Sequence, residues 1–398
     1  MKDKLFTRSF IYVCIANFML FFSFYLLMPI FPFYLVENFG TTNSQIGAVL
    51  ACVIVTVLLV RPFSGYLVDV TSRKPLYLLA YFCIIWVYLG YALATALSLV
   101  VIIRLINGMI FGTVSIAGNT LLIDIIPSSR RGEGIGYYGM MNNLSMTFGP
   151  MVGVFLHDYY SYNVIFACAI ISCAVGLLFA LLVKAPAKPR VLEKTVISLD
   201  RFILLKGLRA GAALMFLSLP YAITTTFVAM YGKELNVLGG VAWFFTVFAV
   251  GLICARFFSG RAVDRGQLTQ MITVGTAGTI GAFLLLASAQ FFMGYGAIIG
   301  SAVYFASALL LGLSYGSIFP AYNTLFVSLA HHNQRGTANA TYLNSWDLGV
   351  GFGLLLGGYI TQHSGYPVAY GLGAACSAVS LVVFTTAVVA HFRKNRIE

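Results

Sequence analysis

Long apolar runs, each of about twenty residues and about twelve in number, follow one another along this chain with short polar connections between them. A helix of about twenty apolar residues reaches across the ~30 Å hydrocarbon layer of a bilayer. The runs are continuous and lack the two-residue alternation of a membrane β-barrel, which excludes that fold. Only 9% of the residues are charged, whereas a soluble domain is about one quarter charged. Too few polar side chains remain to cover a water-facing surface, so lipid is the solvent for most of the chain.

The runs lie at 9–36, 44–66, 75–94, 97–125, 134–156, 164–183, 210–231, 238–260, 269–290, 294–327, 337–361 and 366–391. Pro29-Ile30-Phe31-Pro32 predicts a break near the end of the first, and Pro320 a tilt or break in the tenth. The first run is too long for a signal-peptide core and has no small-residue cleavage site, so it is kept as a span.

A net charge of +12 raises the question of nucleic acid, but the placement of the charge answers it. Lys233 is the single base in one set of loops and Arg104 lies inside a run. The rest fall at the N-terminus, in alternate loops, in a central linker or at the C-terminus. That is the positive-inside pattern, which puts both termini in the cytoplasm and predicts no nucleic-acid partner. The seven cysteines (14, 52, 83, 168, 173, 254 and 376) all sit in apolar runs without metal-like spacing. They read as small core residues. The five histidines lie at run ends and form no metal cluster.

The chain repeats itself. Arg61, Ser64, Gly65, Val68 and Asp69 recur 195 positions later as Arg256, Ser259, Gly260, Val263 and Asp264. Gly112, Asn119-Thr120-Leu121 and Arg131-Gly132 recur 204 positions later as Gly316, Asn323-Thr324-Leu325 and Arg335-Gly336. The expected fold class is therefore an all-α membrane protein with 12 transmembrane helices in two six-helix bundles related by a parallel pseudo-two-fold repeat. The N-terminal bundle is expected at 1–184, a cytoplasmic linker at 185–208 and the C-terminal bundle at 209–398.

On these motifs the chain resembles the major facilitator superfamily. That family's loop signature G-x-L-x-D-R-x-G-R-K is matched by Gly65, Leu67, Asp69, Arg73 and Lys74, while Val70 and Ser72 depart. Asp124-Ile125-Ile126-Pro127-Ser128-Ser129-Arg130-Arg131-Gly132 matches the partner segment D-x-x-P-x-x-x-R-G. Arg104-Leu105-Ile106-Asn107-Gly108 is similar to R-x-x-Q-G, with Asn for Gln. Ser145 to Val154, containing Gly149-Pro150 and Gly153, resembles the antiporter signature G-x-x-x-G-P-x-x-G-G except at Ser145 and Val154. The resemblance covers the whole chain. It implies a twelve-helix transporter of the drug/proton antiporter branch.

Charge inside a bilayer costs several kcal/mol unless paired or wet, so each mid-span ionisable group is a functional candidate. Asp347 is the one acid near the middle of a span, and Arg104 sits about one third of the way into its own. Both are assigned to proton coupling, because a desolvated carboxylate titrates nearer neutrality. Asn143 is the counterpart of Asp347 at the 204 offset. Asn17, Tyr25, Asn143, Tyr221, Tyr315, Tyr322 and Asn344 are expected to line a substrate cavity, with Trp346 as a further aromatic candidate. Gly65, Asp69, Arg73, Asp124, Arg256 and Asp264 are expected to form a gating latch in which Arg73 pairs with Asp124. Gly149 and Pro150 are expected to bend their helix. Each has a plainer reading as a packing or helix-anchoring residue.

No phosphate loop, zinc-protease helix or nucleophile elbow occurs, so the chain is expected to be neither an enzyme nor an ATP-driven pump, and to need no cofactor or metal. The expectation is a monomeric secondary transporter of the inner membrane that works by alternating access. It would exchange protons for a small organic or amphipathic compound moving outward. The alternative is a uniporter or symporter for a polar metabolite such as a sugar or organic acid. A non-transporting membrane scaffold is a third reading from a different class.

Overall fold

The computed structural model describes residues 4–127, 130–185, 204–330 and 335–396. Among them all regular structure is helical. Fourteen α-helices follow in order. They are α1 (Arg8–Leu27), α2 (Ile30–Phe39), α3 (Asn43–Val70), α4 (Arg73–Leu93), α5 (Leu97–Ile125), α6 (Arg131–Tyr159) and α7 (Tyr162–Leu182). Then come α8 (Leu208–Glu234), α9 (Ala242–Asp264), α10 (Leu268–Met293), α11 (Ala297–Ser328), α12 (Arg335–Ser364), α13 (Tyr366–Val383) and α14 (Val389–Asn395). Of the expected linker, residues 186–203 lie outside the described residues.

These helices account for twelve spans. The first span is α1 plus α2, interrupted at Met28-Pro29, where the prolines of Pro29-Ile30-Phe31-Pro32 predict a break. The last is α13, a π-helical stretch Phe384–Val388 and α14. Among the described residues nine helices are long and apolar enough to cross a bilayer. The polar spans α6 and α12 are not among them, and these carry Asn142, Asn143, Asn344 and Asp347.

Two boundaries differ from expectation. α3 runs on to Val70 and α4 starts at Arg73, so the connection holds only Thr71 and Ser72. A helix satisfies its own backbone, so it continues past the apolar run into the charged segment. Pro320 does not divide the tenth span: α11 is continuous over 32 residues, about 48 Å at 1.5 Å per residue.

The chain divides into two compact units. Unit 1 comprises Met1–Gly40 and Cys52–Thr195; unit 2 comprises Thr41–Ala51 and Val196–Glu398. The stretch 41–51, counted with the N-terminal bundle from sequence, thus groups with unit 2. Its contacts there are close. The Asn43 amide donates to Gln362 Oε1 at 3.0 Å, and Asn43 Nδ2 donates to the Tyr366 hydroxyl at 3.3 Å. A Cβ on Gly47 would lie 2.2 Å from the Leu354 carbonyl oxygen.

The internal repeat is visible in the packing of each unit by itself. In unit 1 the first span packs on the fifth and sixth through α1 against α6 and α7, and α4 packs on α5 and α7. In unit 2, α8 packs on α12 and α13, and α10 packs on α11 and α13. Glycines set the closest approaches, where a methyl group would overlap backbone. A Cβ on Gly153 would fall 2.1 Å from the Leu26 carbonyl oxygen of α1. One on Gly353 would fall 2.3 Å from that of Leu219 on α8. Gly349, Gly353 and Gly357 stand 204 positions after Ser145, Gly149 and Gly153.

Candidate functional site

In unit 1 the central group is Arg104, on α5 and only 5% exposed. Its guanidinium carbon lies 3.5 Å from the centre of the Phe31 ring on α2 and 5.5 Å from that of Tyr91 on α4. A desolvated cation over aromatic faces gains about 2 kcal/mol. Among the described residues Arg104 forms no ion pair, and its Nε has no hydrogen-bond partner. One turn on, Asn107 Nδ2 donates to the Tyr91 hydroxyl at 3.0 Å, while its Oδ1 is unpartnered. Arg104 therefore touches the first span through Phe31, and what offsets its charge is aromatic.

Asn17, on α1 and 1% exposed, donates to Asn142 Oδ1 and to the Tyr138 carbonyl oxygen of α6. Ser145 Oγ donates to the Phe18 carbonyl oxygen at 2.8 Å. Asn17 thus holds α1 against α6 and is buried between them. Tyr25 is half-buried, and its Cβ is 2.7 Å from the position a Cβ on Gly149 would take. Gly149 therefore lets α6 reach α1, and α6 is assigned as one helix through Pro150. Asn143 is half-buried on the same helix.

In unit 2 an aromatic cluster brings together α8, α11 and α12. Tyr221 stands 5.1 Å from Tyr315, 5.8 Å from Phe319 and 5.1 Å from Trp346, ring centre to ring centre. Trp346 in turn meets Phe319 edge-on at 4.8 Å. Asp347 follows Trp346 on α12 and is half-buried, as is Asn344. Tyr342 of α12 lies near both Asp347 and Arg256. Arg256 of α9, expected at a latch, thus belongs to the neighbourhood of the mid-span acid. Tyr315 and Tyr322 are wholly buried. The Tyr315 hydroxyl donates to the Leu217 carbonyl oxygen, and Tyr322 packs on Phe384. Both are core residues that offer no open surface, because α8, α11 and the last span close around them.

Arg73 and Asp124 form an ion pair, with the aspartate side chain 6% exposed. Both belong to unit 1, where the pair ties the start of α4 to the end of α5. The surroundings of Gly65 and the side chains of Asp69 and Asp264 lie outside what the structure describes.

One group has no counterpart in the expectations. The Tyr162 hydroxyl donates to Glu37 Oε2 at 2.6 Å, and His157 Nε2 lies 3.2 Å from the same hydroxyl and 3.8 Å from Glu37 Oε1. The His157 ring stacks on Phe33 at 4.6 Å and approaches Asp158 at 3.9 Å. These residues come from α2, α6 and α7 and share no sequence spacing. The one available signal is that Glu37 and His157 both stand at ends of apolar runs.

Twelve helical spans in two units, with Arg104 buried among aromatic rings in one and Asp347 half-buried beside an aromatic cluster in the other, define a multi-pass membrane protein. The profile of the Major Facilitator Superfamily matches residues 13–342 and 210–396, and the chain belongs to that family. It is 23% identical over 351 residues to the staphylopine export protein of Staphylococcus aureus (strain Mu50 / ATCC 700699), covering 84% of this chain and 85% of that one. It is 24% identical over 381 residues to the uncharacterized MFS-type transporter YhhS of Escherichia coli (strain K12), covering 93% and 90%. Its fold is similar to a crystal structure of the nucleoside transporter NupG, with a TM-score of 0.72 at 16% identity over 95% of this chain and 99% of that one.

Proposed function

We propose that this transporter exports a small organic compound in exchange for protons. The observation that carries the reading is Asp347, a mid-span carboxylate flanked by an aromatic cluster and sharing Tyr342 with Arg256. A carboxylate in a low-dielectric site prefers to be neutral, so it takes a proton from an acidic side and gives it up to an alkaline one. The aromatic faces of Tyr221, Phe319 and Trp346 suit an amphipathic substrate. The similarity to a protein named for export supports the direction.

Arg104 serves as the fixed positive charge of unit 1, held by Phe31 and Tyr91. The Arg73–Asp124 pair keeps α4 and α5 together as that unit moves as a body. The positive-inside pattern supports a cytoplasmic-membrane protein with both termini inside, bundles at 1–184 and 209–398, and a linker at 185–208. A monomer suffices for this mechanism.

The test is transport in proteoliposomes under an imposed pH gradient. Asp347→Asn keeps size and hydrogen bonding but cannot cycle a proton. It is expected to abolish uphill transport and to keep downhill exchange. Full proton-driven transport by Asp347→Asn would refute the assignment. Uptake of a polar metabolite instead of export would establish the uniporter or symporter reading.

A further inference from the structure

Unit 2 gathers exposed cations at the end where its first and last spans meet. Lys206 lies in a 3-10 turn, Leu205–Gly207, directly before α8, and Arg209 lies in the first turn of α8. Arg393 and Lys394 are in the last turn of α14, and Arg396 follows it. All five are exposed.

The two elements are strapped together. His391 Nε2 donates to the Lys206 carbonyl oxygen at 3.1 Å. Asn395 Nδ2 lies 3.2 Å from His391 Nδ1 and donates to it, which leaves the proton on Nε2 for the strap. Arg393, Lys394 and Arg396 lie two to five residues beyond this strap, and Arg209 lies three residues from it. At 1.5 Å per residue the charges fall within about 8 Å of axial rise from the strap. That is about one Debye length at physiological salt, so a phosphate seated at the strap is attracted by all five. None of the five forms an ion pair among the described residues.

Leucines are interleaved with these bases. Leu205 is 64% exposed and Leu208 50% exposed. A site for a small soluble anion gains nothing from them. An anionic phospholipid satisfies both halves, with a phosphate for the cations and acyl chains for the leucines. A zwitterionic choline lipid brings its own cation and is disfavoured.

We propose that this end of unit 2 is a binding site for an anionic phospholipid. Its phosphate contacts Lys206, Arg209, Arg393, Lys394 and Arg396, and its acyl chains lie along Leu205 and Leu208. The lipid bridges the first and last spans of the unit by pairing with the positive charge that both carry at this end.

The test uses the full chain, extracted from vesicles of equal phosphatidylglycerol and phosphatidylcholine, with retained lipids counted by native mass spectrometry. Preferential retention of phosphatidylglycerol is expected. The triple variant Arg393→Gln, Lys394→Gln, Arg396→Gln is expected to weaken it about a hundredfold, at about fivefold per charge. Lys206→Gln with Arg209→Gln, on the other element, is expected to weaken it about twenty-five-fold by the same rule, and decides the matter if the triple variant misfolds. Leu205→Ser with Leu208→Ser is expected to lower lipid retention as well. Equal retention of the two lipids, or undiminished phosphatidylglycerol binding in a folded charge variant, would overturn the proposal. Displacement of the lipid by millimolar inorganic phosphate, with the leucine variant binding normally, would mark a free-phosphate site and overturn it too. These readouts are independent of transport direction and of Asp347.

Discussion

Gly153→Ala adds one methyl group where α6 crosses α1, and the structure sets the size of the effect. The added Cβ would sit 2.1 Å from the Leu26 carbonyl oxygen. Carbon–oxygen contacts settle at about 3.3 Å, so the helices must separate by about 1 Å. The atom struck is backbone, which cannot rotate away. Overpacking of this kind costs about 1–3 kcal/mol. Gly136 lies on the same helix and provides the control, because a Cβ there meets nothing within 4 Å. At an open helical site, Gly→Ala stabilises by about 0.4–1 kcal/mol through the unfolded chain. The two variants differ by the same atom in the same helix and are expected to move stability in opposite directions. Thermal unfolding in detergent, followed by a thiol-reactive dye on the buried Cys14 and Cys173, reads both. Gly153→Ala melting at or above the parent, with Gly136→Ala below it, would refute the close-packing account of these glycines.

Phe31→Leu stays apolar but removes the ring under Arg104; a loss of about 2 kcal/mol or more is expected, and unchanged melting of Phe31→Leu would remove the cation–aromatic assignment. Arg73→Ala and Asp124→Ala should show a coupling of about 1 kcal/mol in a double-mutant cycle of unfolding, since the pair is only partly exposed; additive effects would show the contact to be energetically idle. Trp346→Leu is expected to raise the substrate concentration for half-maximal transport while leaving the maximal rate nearly unchanged, and the reverse pattern would place Trp346 outside the binding step. Glu37→Gln is expected to leave its bond from Tyr162 in place but weaken its approach to His157, measured as faster hydrogen exchange in α2; unchanged exchange would show that the cluster does not hold that helix.

Much of the fold is legible in the sequence because lipid leaves few alternatives. The run 97–125 coincides with α5, since polar connections bound it on both sides. The charged segment after Arg61 is less legible, because hydropathy falls where the helix does not. Arg73 and Asp124 are found through their motifs, and the structure pairs them. Arg256 is expected at a latch from its motif position, and its neighbour Tyr342 comes from 86 positions away on another helix, a proximity that no sequence spacing shows. Tyr315 and Tyr322 look like cavity aromatics, since a tyrosine in an apolar run carries no sign of which face it occupies. Their hydroxyl environment is decided by tertiary packing. The repeat of glycines in α12 was available at the 204 offset, and it marks the α8 contact.

Met28 and Pro29 keep right-handed helical dihedrals, so α2 follows α1 across a gap in the hydrogen-bond ladder. Ten residues of helix are about 15 Å long. Phe31 near one end rests on the buried guanidinium, and Glu37 near the other meets Tyr162 and His157. A short stiff rod held at two seats keeps them in register: the acid, phenol and imidazole at one end and the buried guanidinium at the other are spaced by the length of α2.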